Sequence, residues 1–94
     1  MNKYESIIIT KVDLKEEAIN KIITAVSDLI NSKGSMEKVE QIGNKKLAYE
    51  VRGNKEGFYI IFEFETVVEQ IRELERYFRI TEEILKFIVV RKDN

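Results

Sequence analysis

The fold of this chain is decided by the segment Arg72–Lys92, which reads RELERYFRITEEILKFIVVRK. Its first part has the periodicity of a charged amphipathic helix, with Leu74 and Phe78 on one stripe. A polar turn at residues 81–83 follows, and then an almost wholly apolar strand over about residues 85–91. Such a strand is too apolar to lie alone on a surface. It therefore predicts neighbouring strands and a layer of helices that buries it.

The composition is that of one compact domain, which we expect to span residues 1–94. With 94 residues, of which 44% are hydrophobic, the chain can bury roughly 65% of its unfolded surface in a single core. The absence of cysteine excludes disulfides, and the absence of histidine removes the commonest general base and metal ligand. No apolar run approaches the ~20 residues of a membrane span, and the N-terminus lacks a signal-peptide core. We expect a cytoplasmic protein.

The charge of the whole chain does not favour nucleic-acid binding. The sequence has 16 basic and 17 acidic residues, which give a net charge of −1. Most of these side chains are expected to form a solvated surface of mixed sign. Any role in nucleic-acid recognition must therefore depend on where the basic residues lie.

The N-terminal third predicts a strand followed by a helix. Tyr4–Lys11 is rich in β-branched residues and apolar on both faces, as a central strand would be. Asp13 and Glu16 have the spacing of a capping box at a helix start. Gly34 is predicted to end this helix as a left-handed C-terminal cap. The apolar stripe of the helix consists of Ala18, Ile19, Ile22, Ile23, Val26, Leu29 and Ile30.

The middle of the chain predicts a long strand at a sheet edge. Met36–Val51 alternates imperfectly, and its many charges are typical of an edge strand. We interpret it either as one long or bulged strand or as a strand with a kink at Gly43. The segment Arg52–Gly57 contains two glycines and an asparagine, which predict a loop.

A second central strand and a second helix follow this loop. Phe58–Glu65 places four apolar side chains on one face of the strand. Thr66 and Glu69 repeat the capping-box spacing and predict the start of the helix. The order β-α-β-β-α-β predicts an α+β, ferredoxin-like split βαβ fold: a four-stranded antiparallel sheet with two helices on one face. Ile7 or Ile9 must then point to the uncovered face, which implies a partner.

The residues do not favour an enzyme, and we expect no cofactor and no metal site. The chain contains no glycine-rich phosphate loop. An acylphosphatase-like site is rejected because residues 10–13 lack glycine and include an acid. An RNA-recognition motif would need a basic residue at the position of Glu56. Tyr59 is a single outward-facing aromatic residue and does not form a platform on which nucleobases stack.

The basic residues allow two interpretations. In the predicted sheet the first and last strands are antiparallel neighbours, so Lys3 should lie beside Arg91 and Lys92. Together with Arg79 and Lys86, these side chains can form a local patch that engages phosphates. Alternatively, the arginines at the end of the second helix complement its dipole, and the basic end of the chain is simply solvated.

Five segments resemble the bacterial small-subunit ribosomal protein six family. They are residues 3–5, 43–49, 56–59, 74–80 and 85–92. The most specific parts are residues 45–49 (KKLAY) and residues 79–92. The resemblance covers essentially the whole chain and implies a non-enzymatic, ferredoxin-like protein. It also implies binding to the central domain of small-subunit (16S) rRNA together with ribosomal protein eighteen. A neutral or acidic charge is typical of that family.

The resemblance also implies which residues make these contacts. It places Lys3, Tyr4, Arg79, Lys86 and Arg91 near rRNA, and the basic patch adds Lys92. The edge around Glu40, Gln41, Lys45 and Lys46 is placed against the partner protein. The free protein is then expected to be monomeric.

The sequence departs from the family pattern at several positions. Proline is absent near Val12 and at Glu50, and the basic pair of the last strand is replaced by Leu85-Lys86. The chain ends at Asn94, so contacts of a longer C-terminal tail are not expected. The alternative function is a regulatory or oligomerisation module of the same topology that does not bind RNA and buries its sheet edge in a dimer.

Overall fold

The structure, a computed structural model, describes residues 1–92. The expectation about the end of the chain at Asn94 lies outside these residues. Six elements are observed, in the predicted order. They are β1 (Asn2–Thr10), α1 (Glu16–Asn31), β2 (Ser35–Val51), β3 (Asn54–Thr66), α2 (Val68–Ile80) and β4 (Ile84–Arg91).

The four strands form one antiparallel sheet in the order β2-β3-β1-β4. The predicted ferredoxin-like fold is therefore confirmed, with β1 and β3 in the centre and β2 and β4 at the edges. The predicted proximity of the chain ends is also confirmed. Tyr4 lies opposite Arg91, and the Lys92 amide donates a hydrogen bond of 2.8 Å to the Lys3 carbonyl oxygen.

The core lies between the helices and one face of the sheet. Phe62 and Phe64 of β3 are fully buried, as are Ile8 of β1 and Leu74 of α2. The helical stripe predicted for α1 is buried at every turn, because apolar residues three and four apart share one side of a helix. Its buried members are Ile19, Ile22, Val26 and Ile30.

Neither predicted capping box is formed. Helix α1 begins at Glu16 after an N-cap at Lys15, and no side chain caps it. Its first turn is stabilised instead by backbone bonds to the Lys15 carbonyl and by two acidic residues near the positive end of the helix dipole. Thr66 is drawn into β3 and buried, so it cannot cap α2, whose N-cap is Val67.

The predicted left-handed cap at Gly34 is also wrong. Helix α1 ends with Ser32 in a right-handed conformation, and Gly34 has no positive φ. Glycine is required there by close approach, since an added Cβ would collide with the Glu65 carbonyl oxygen and lie 2.7 Å from the Thr66 Cβ. The kink predicted at Gly43 is confirmed by a φ of 112° and a shift of strand register.

The loop predicted for residues 52–57 is much shorter, because β3 already begins at Asn54. Strands β2 and β3 therefore form a long hairpin whose outer part, residues 45–57, we call the hairpin end. The hairpin end contacts the other side of the sheet: Lys86 of β4 donates a 2.7 Å hydrogen bond to the Tyr49 hydroxyl. A small cavity of about 100 Å³ lies beneath it, lined by Ile9, Leu47, Ala48, Tyr49, Val51, Tyr59 and Lys86.

Strand β4 is less buried than its apolar sequence predicts. Phe87 and Val89 pack against the core, whereas Ile88 and Val90 are 53% and 44% exposed. The exposed pair lies on the face of the sheet turned away from the helices, which we call the open face. Within residues 1–92, neither helix has the length and apolarity needed to cross a membrane.

Candidate nucleic-acid and partner interface

The basic residues predicted to contact RNA are divided between the two ends of β4. Lys3 and Lys92 lie opposite each other at one end, beside Arg91; we call these three the terminal cluster. Lys86 lies near the other end, six residues from Lys92. At about 3.3 Å per residue, the two ends are roughly 20 Å apart. The sheet thus presents two basic sites and not one continuous patch.

Side chains of the terminal cluster are held by polar neighbours. Arg91 donates a 2.8 Å hydrogen bond from Nη2 to Oδ1 of Asn2. The Lys92 ammonium lies 3.3 Å from a carboxylate oxygen of Glu63 across the open face. Lys3 is exposed. Because the Lys92–Glu63 pair is itself solvent-exposed, it stabilises the fold by little and leaves the ammonium accessible to an anion.

Tyr4 differs from the other residues predicted to contact RNA. Its side chain is 6% exposed and its ring stacks on Phe64, with centroids 5.8 Å apart. The ring belongs to the core, because residue 4 faces the helices while residues 3 and 5 face the open side. Tyr4 therefore supports the strand end that carries Lys3, and its ring does not lie on the exposed basic surface.

The second basic site lies where α2 ends and β4 begins. Arg79, in the last turn of α2, places its guanidinium 6.0 Å from the Phe87 ring centroid and pairs with Glu75 at 3.6 Å. Lys86 places its ammonium 4.8 Å from the Tyr49 ring centroid. This contact and the hydrogen bond to Tyr49 fix the lysine against the hairpin end.

A third basic residue at this site, Arg52, was not predicted from the sequence. Its Nη2 donates to the carbonyl oxygens of Glu82, at 3.1 Å, and Ile84, at 2.8 Å. The backbone of Arg52 has a φ of 49°, a left-handed conformation that is uncommon for a residue other than glycine. We call Arg52, Arg79 and Lys86 the junction cluster. A turn arginine gave no sequence signal for this, because its partners lie 30 and 32 residues away.

The residues predicted to face a protein partner lie along the free edge of β2. Glu40, Gln41, Lys45 and Lys46 are all exposed, and their strand is the outermost of the sheet. The ammonium of Lys45 lies 5.9 Å from the Tyr59 ring centroid. Unpaired backbone groups on an edge strand offer a second chain a row of hydrogen bonds. The edge is thus available for a protein contact.

The open face supplies apolar area that runs from β3 across β1 to β4, the strand at the opposite edge of the sheet. Ile7 pairs with Ile61 and with Ile88 in adjacent strands, so the three side chains share the open face. Val90 extends the same apolar strip on β4. Contiguous exposed apolar surface on a small protein is typical of a protein–protein contact.

Comparison with known families shows which proteins this chain is similar to. The family described as Ribosomal protein S6 matches residues 3–91. The chain is 34% identical over 91 residues to "Small ribosomal subunit protein bS6" of Alkaliphilus metalliredigens, with 97% of each chain covered. It is 36% identical over 94 residues to the protein of the same name from Heliobacterium modesticaldum, covering 99% of this chain and 98% of the relative.

Comparison with solved structures gives the same result. The crystal structure of 30S ribosomal protein S6 from Thermotoga maritima superposes with a TM-score of 0.89 at 31% sequence identity. The match covers 97% of this chain and 87% of the Thermotoga protein. The similarity therefore includes every strand and both helices that carry the basic sites and the free edge.

Proposed function

The chain belongs to the ribosomal protein S6 family, and from this premise we propose that it binds the central domain of 16S rRNA together with ribosomal protein eighteen. As a member of this family it is a structural component of the small ribosomal subunit in the bacterial cytoplasm, and it is not an enzyme.

The observation that carries the RNA proposal is the position of the basic residues on a chain of net charge −1. The terminal and junction clusters lie at the two ends of one exposed edge strand, roughly 20 Å apart. Cationic side chains at such spacing can engage phosphates at separate points of a folded RNA. Residues 1–92 present no exposed row of aromatic rings on which nucleobases could stack. We therefore propose that the protein recognises RNA by phosphate contacts and shape.

We expect the double substitution Arg79→Ala with Lys86→Ala to weaken binding to a central-domain rRNA fragment in the presence of the partner protein. Each lost phosphate contact should reduce the slope of log Kd against log salt concentration by about 0.7–0.9. The measurement is filter binding across a series of salt concentrations. The double variant should show a slope smaller by roughly 1.4–1.8.

The control for this experiment is Lys21→Ala with Lys33→Ala. It removes the same charge from two exposed positions on the helical side of the protein, outside both basic clusters. Because long-range attraction falls in both double variants alike, only a difference between them reports local contacts. Equal affinities and equal salt slopes for the two variants would contradict the assignment of Arg79 and Lys86.

We propose that ribosomal protein eighteen contacts the free β2 edge at Glu40, Gln41, Lys45 and Lys46. The support is the outermost position of β2 and the exposure of all four residues. Reversing two charges there, with Lys45→Glu and Lys46→Glu, should weaken association with the partner by about ten-fold or more, because it disrupts the electrostatic complementarity of the interface. The melting temperature should fall by less than about 4 °C, since exposed substitutions rarely change stability by more than ~0.5 kcal/mol.

The matched control is Lys21→Glu with Lys33→Glu, which changes net charge equally on the opposite side of the fold. Isothermal titration with the purified partner protein measures both variants. If the control weakens association as much as the edge variant, net charge and not the β2 edge governs binding. We propose that the free protein is a monomer; sedimentation of a stable dimer would favour the oligomerisation module instead.

A further inference from the structure

The junction between the hairpin end, α2 and β4 contains an open cavity of about 380 Å³. Three of its lining residues are basic, and none is acidic. The full lining consists of Arg52, Phe78, Arg79, Ile84, Leu85, Lys86 and Phe87. The junction cluster thus surrounds one cavity whose floor is apolar and aromatic. A floor of that kind lowers the local polarity and strengthens the attraction of the cations for an anion.

Arg52 is held in place yet keeps most of its hydrogen-bonding capacity. A guanidinium has five N–H donors, and Nη2 supplies the bonds to the Glu82 and Ile84 carbonyls. The donors on Nη1 and Nε remain for a ligand. Fixing the group in advance reduces the conformational entropy that a ligand contact would otherwise cost.

The other two cations have donors to spare as well. Lys86 uses one of its three ammonium donors on the Tyr49 hydroxyl. Arg79 is paired with Glu75, but the distance from Nη2 to the carboxylate oxygen is as long as 3.6 Å and the pair is solvent-accessible. The pair therefore competes only weakly with a ligand. Among residues 1–92, the recorded ion pairs join neither Arg52 nor Lys86 to a carboxylate.

We propose that this cavity binds a phosphate group of an RNA backbone, with Arg52 as a phosphate ligand alongside Arg79 and Lys86. A phosphate presents several acceptor oxygens in different directions. Three cationic side chains from different elements can therefore bind it at once. The Phe87 ring, whose centroid lies 6.0 Å from the Arg79 guanidinium, provides an apolar surface for the attached sugar. The RNA source of this phosphate rests on the proposed function, whereas the anion site rests on the geometry alone.

The site has a structural consequence for the hairpin end. The bonds that hold Arg52 also join the hairpin to the turn before β4, and Lys86 joins it to the strand itself. A phosphate bound by Arg52 and Arg79 would therefore bridge two elements that are distant in sequence. RNA binding should then order the hairpin end, which carries Lys45 and Lys46.

The anion site is tested first with inorganic phosphate and the free protein. A titration followed by ¹⁵N NMR should shift the Arg52 and Arg79 side-chain Nε–H signals together with the amides of residues 84–87. Arg52→Gln should weaken phosphate binding roughly ten-fold, as expected for a charge-assisted hydrogen bond. Arg79→Gln leaves the hairpin bonds intact and should weaken it comparably, which protects the test if Arg52→Gln loosens the hairpin.

The matched control is Lys55→Gln, which removes one charge from the same hairpin at an exposed position that does not line the cavity. It should bind phosphate with little change. Phosphate shifts that are spread over the surface, or that weaken equally in Arg52→Gln and Lys55→Gln, would overturn the anion site.

The second arm uses the central-domain rRNA fragment with the partner protein. Arg52→Gln should reduce affinity roughly ten-fold relative to Lys55→Gln and lower the salt slope by about 0.7–0.9. Phosphate binding with no loss of RNA affinity in Arg52→Gln would overturn the RNA assignment. If the wild-type protein shows the localised phosphate shifts but does not bind the fragment, the proposed function fails while the anion site is supported.

Discussion

Replacing Gly34 tests how the connection between α1 and β2 is built. An alanine Cβ at this position would overlap the Glu65 carbonyl oxygen and lie 2.7 Å from the Thr66 Cβ. Both of these atoms belong to the end of β3, which is paired with β1 on one side and with Ser35 of β2 on the other. Neither atom is the flexible end of a long side chain. The backbone must therefore move to admit the methyl group.

The expected cost follows from these distances. Carbon atoms in contact are ordinarily about 3.5–4.0 Å apart, so the two segments must separate by roughly 1 Å. Overpacking of this kind typically costs about 1–3 kcal/mol, and a rigid neighbour on both sides places Gly34→Ala near the upper end. For a domain of this size, about 2–3 kcal/mol lowers the melting temperature by roughly 10–20 °C.

A second substitution separates close approach from the left-handed cap that the sequence predicted. Asparagine tolerates a left-handed conformation better than alanine does, but its side chain is larger. If Gly34 were a left-handed cap, Gly34→Asn would be more stable than Gly34→Ala. Because the limit is space, we expect the order wild type, then Gly34→Ala, then Gly34→Asn.

Urea unfolding followed by circular dichroism gives the free energies, and an unchanged m-value shows that the comparison is valid. Ser35→Ala, at the next and exposed position, is the control and should lie within ~0.5 kcal/mol of wild type. The reasoning is refuted if Gly34→Ala is as stable as wild type. It is equally refuted if Gly34→Asn is more stable than Gly34→Ala.

Two further predictions concern the helices. Leu74→Ala, at a fully buried position, should lower the free energy of unfolding by about 3 kcal/mol in the same urea assay. The control Val68→Ala, at an exposed position on the same helix, should change that free energy by less than ~0.5 kcal/mol. Burial, with a smaller contribution from the Glu83 charge, raises the pKa of Tyr77 above 10.0. As pH rises through about 10, the unfolded chain then releases the phenolic proton before the folded chain does, so the free energy of unfolding falls. Tyr77→Phe should flatten this decline between about pH 9 and 11. Parallel curves of unfolding free energy against pH for the variant and the wild type would contradict it.

Much of the fold followed from local patterns in the sequence. The two-faced apolar strands at β1 and β3 predicted central positions, and the charged, irregular β2 predicted an edge. These predictions succeeded because the repeat of side chains along a strand or helix is a local property. The two predicted capping boxes were wrong, because the spacing of a capping box is necessary for a capping hydrogen bond but is not sufficient. Thr66 has the right spacing but is taken by β3.

The candidate site followed from the sequence only in part. The cross-strand neighbourhood of Lys3 and Lys92 could be predicted, since topology alone brings these strand ends together. The role of Arg52 could not, because it depends on how far the hairpin reaches across the molecule. Its bonds to residues 82 and 84 join segments that no local pattern relates.

The sequence by itself determined the order of the elements, the two central strands and the buried stripe of each helix, because each is specified by residues within a few positions of one another. Only the tertiary structure decided that residue 34 must be glycine because β3 leaves no space for a Cβ, that Tyr4 belongs to the core, and that the basic residues divide into two clusters. Those features depend on distances between segments far apart in the chain. Such distances are set by the packing of the whole sheet, where each side chain takes the space and the partners that its neighbours leave.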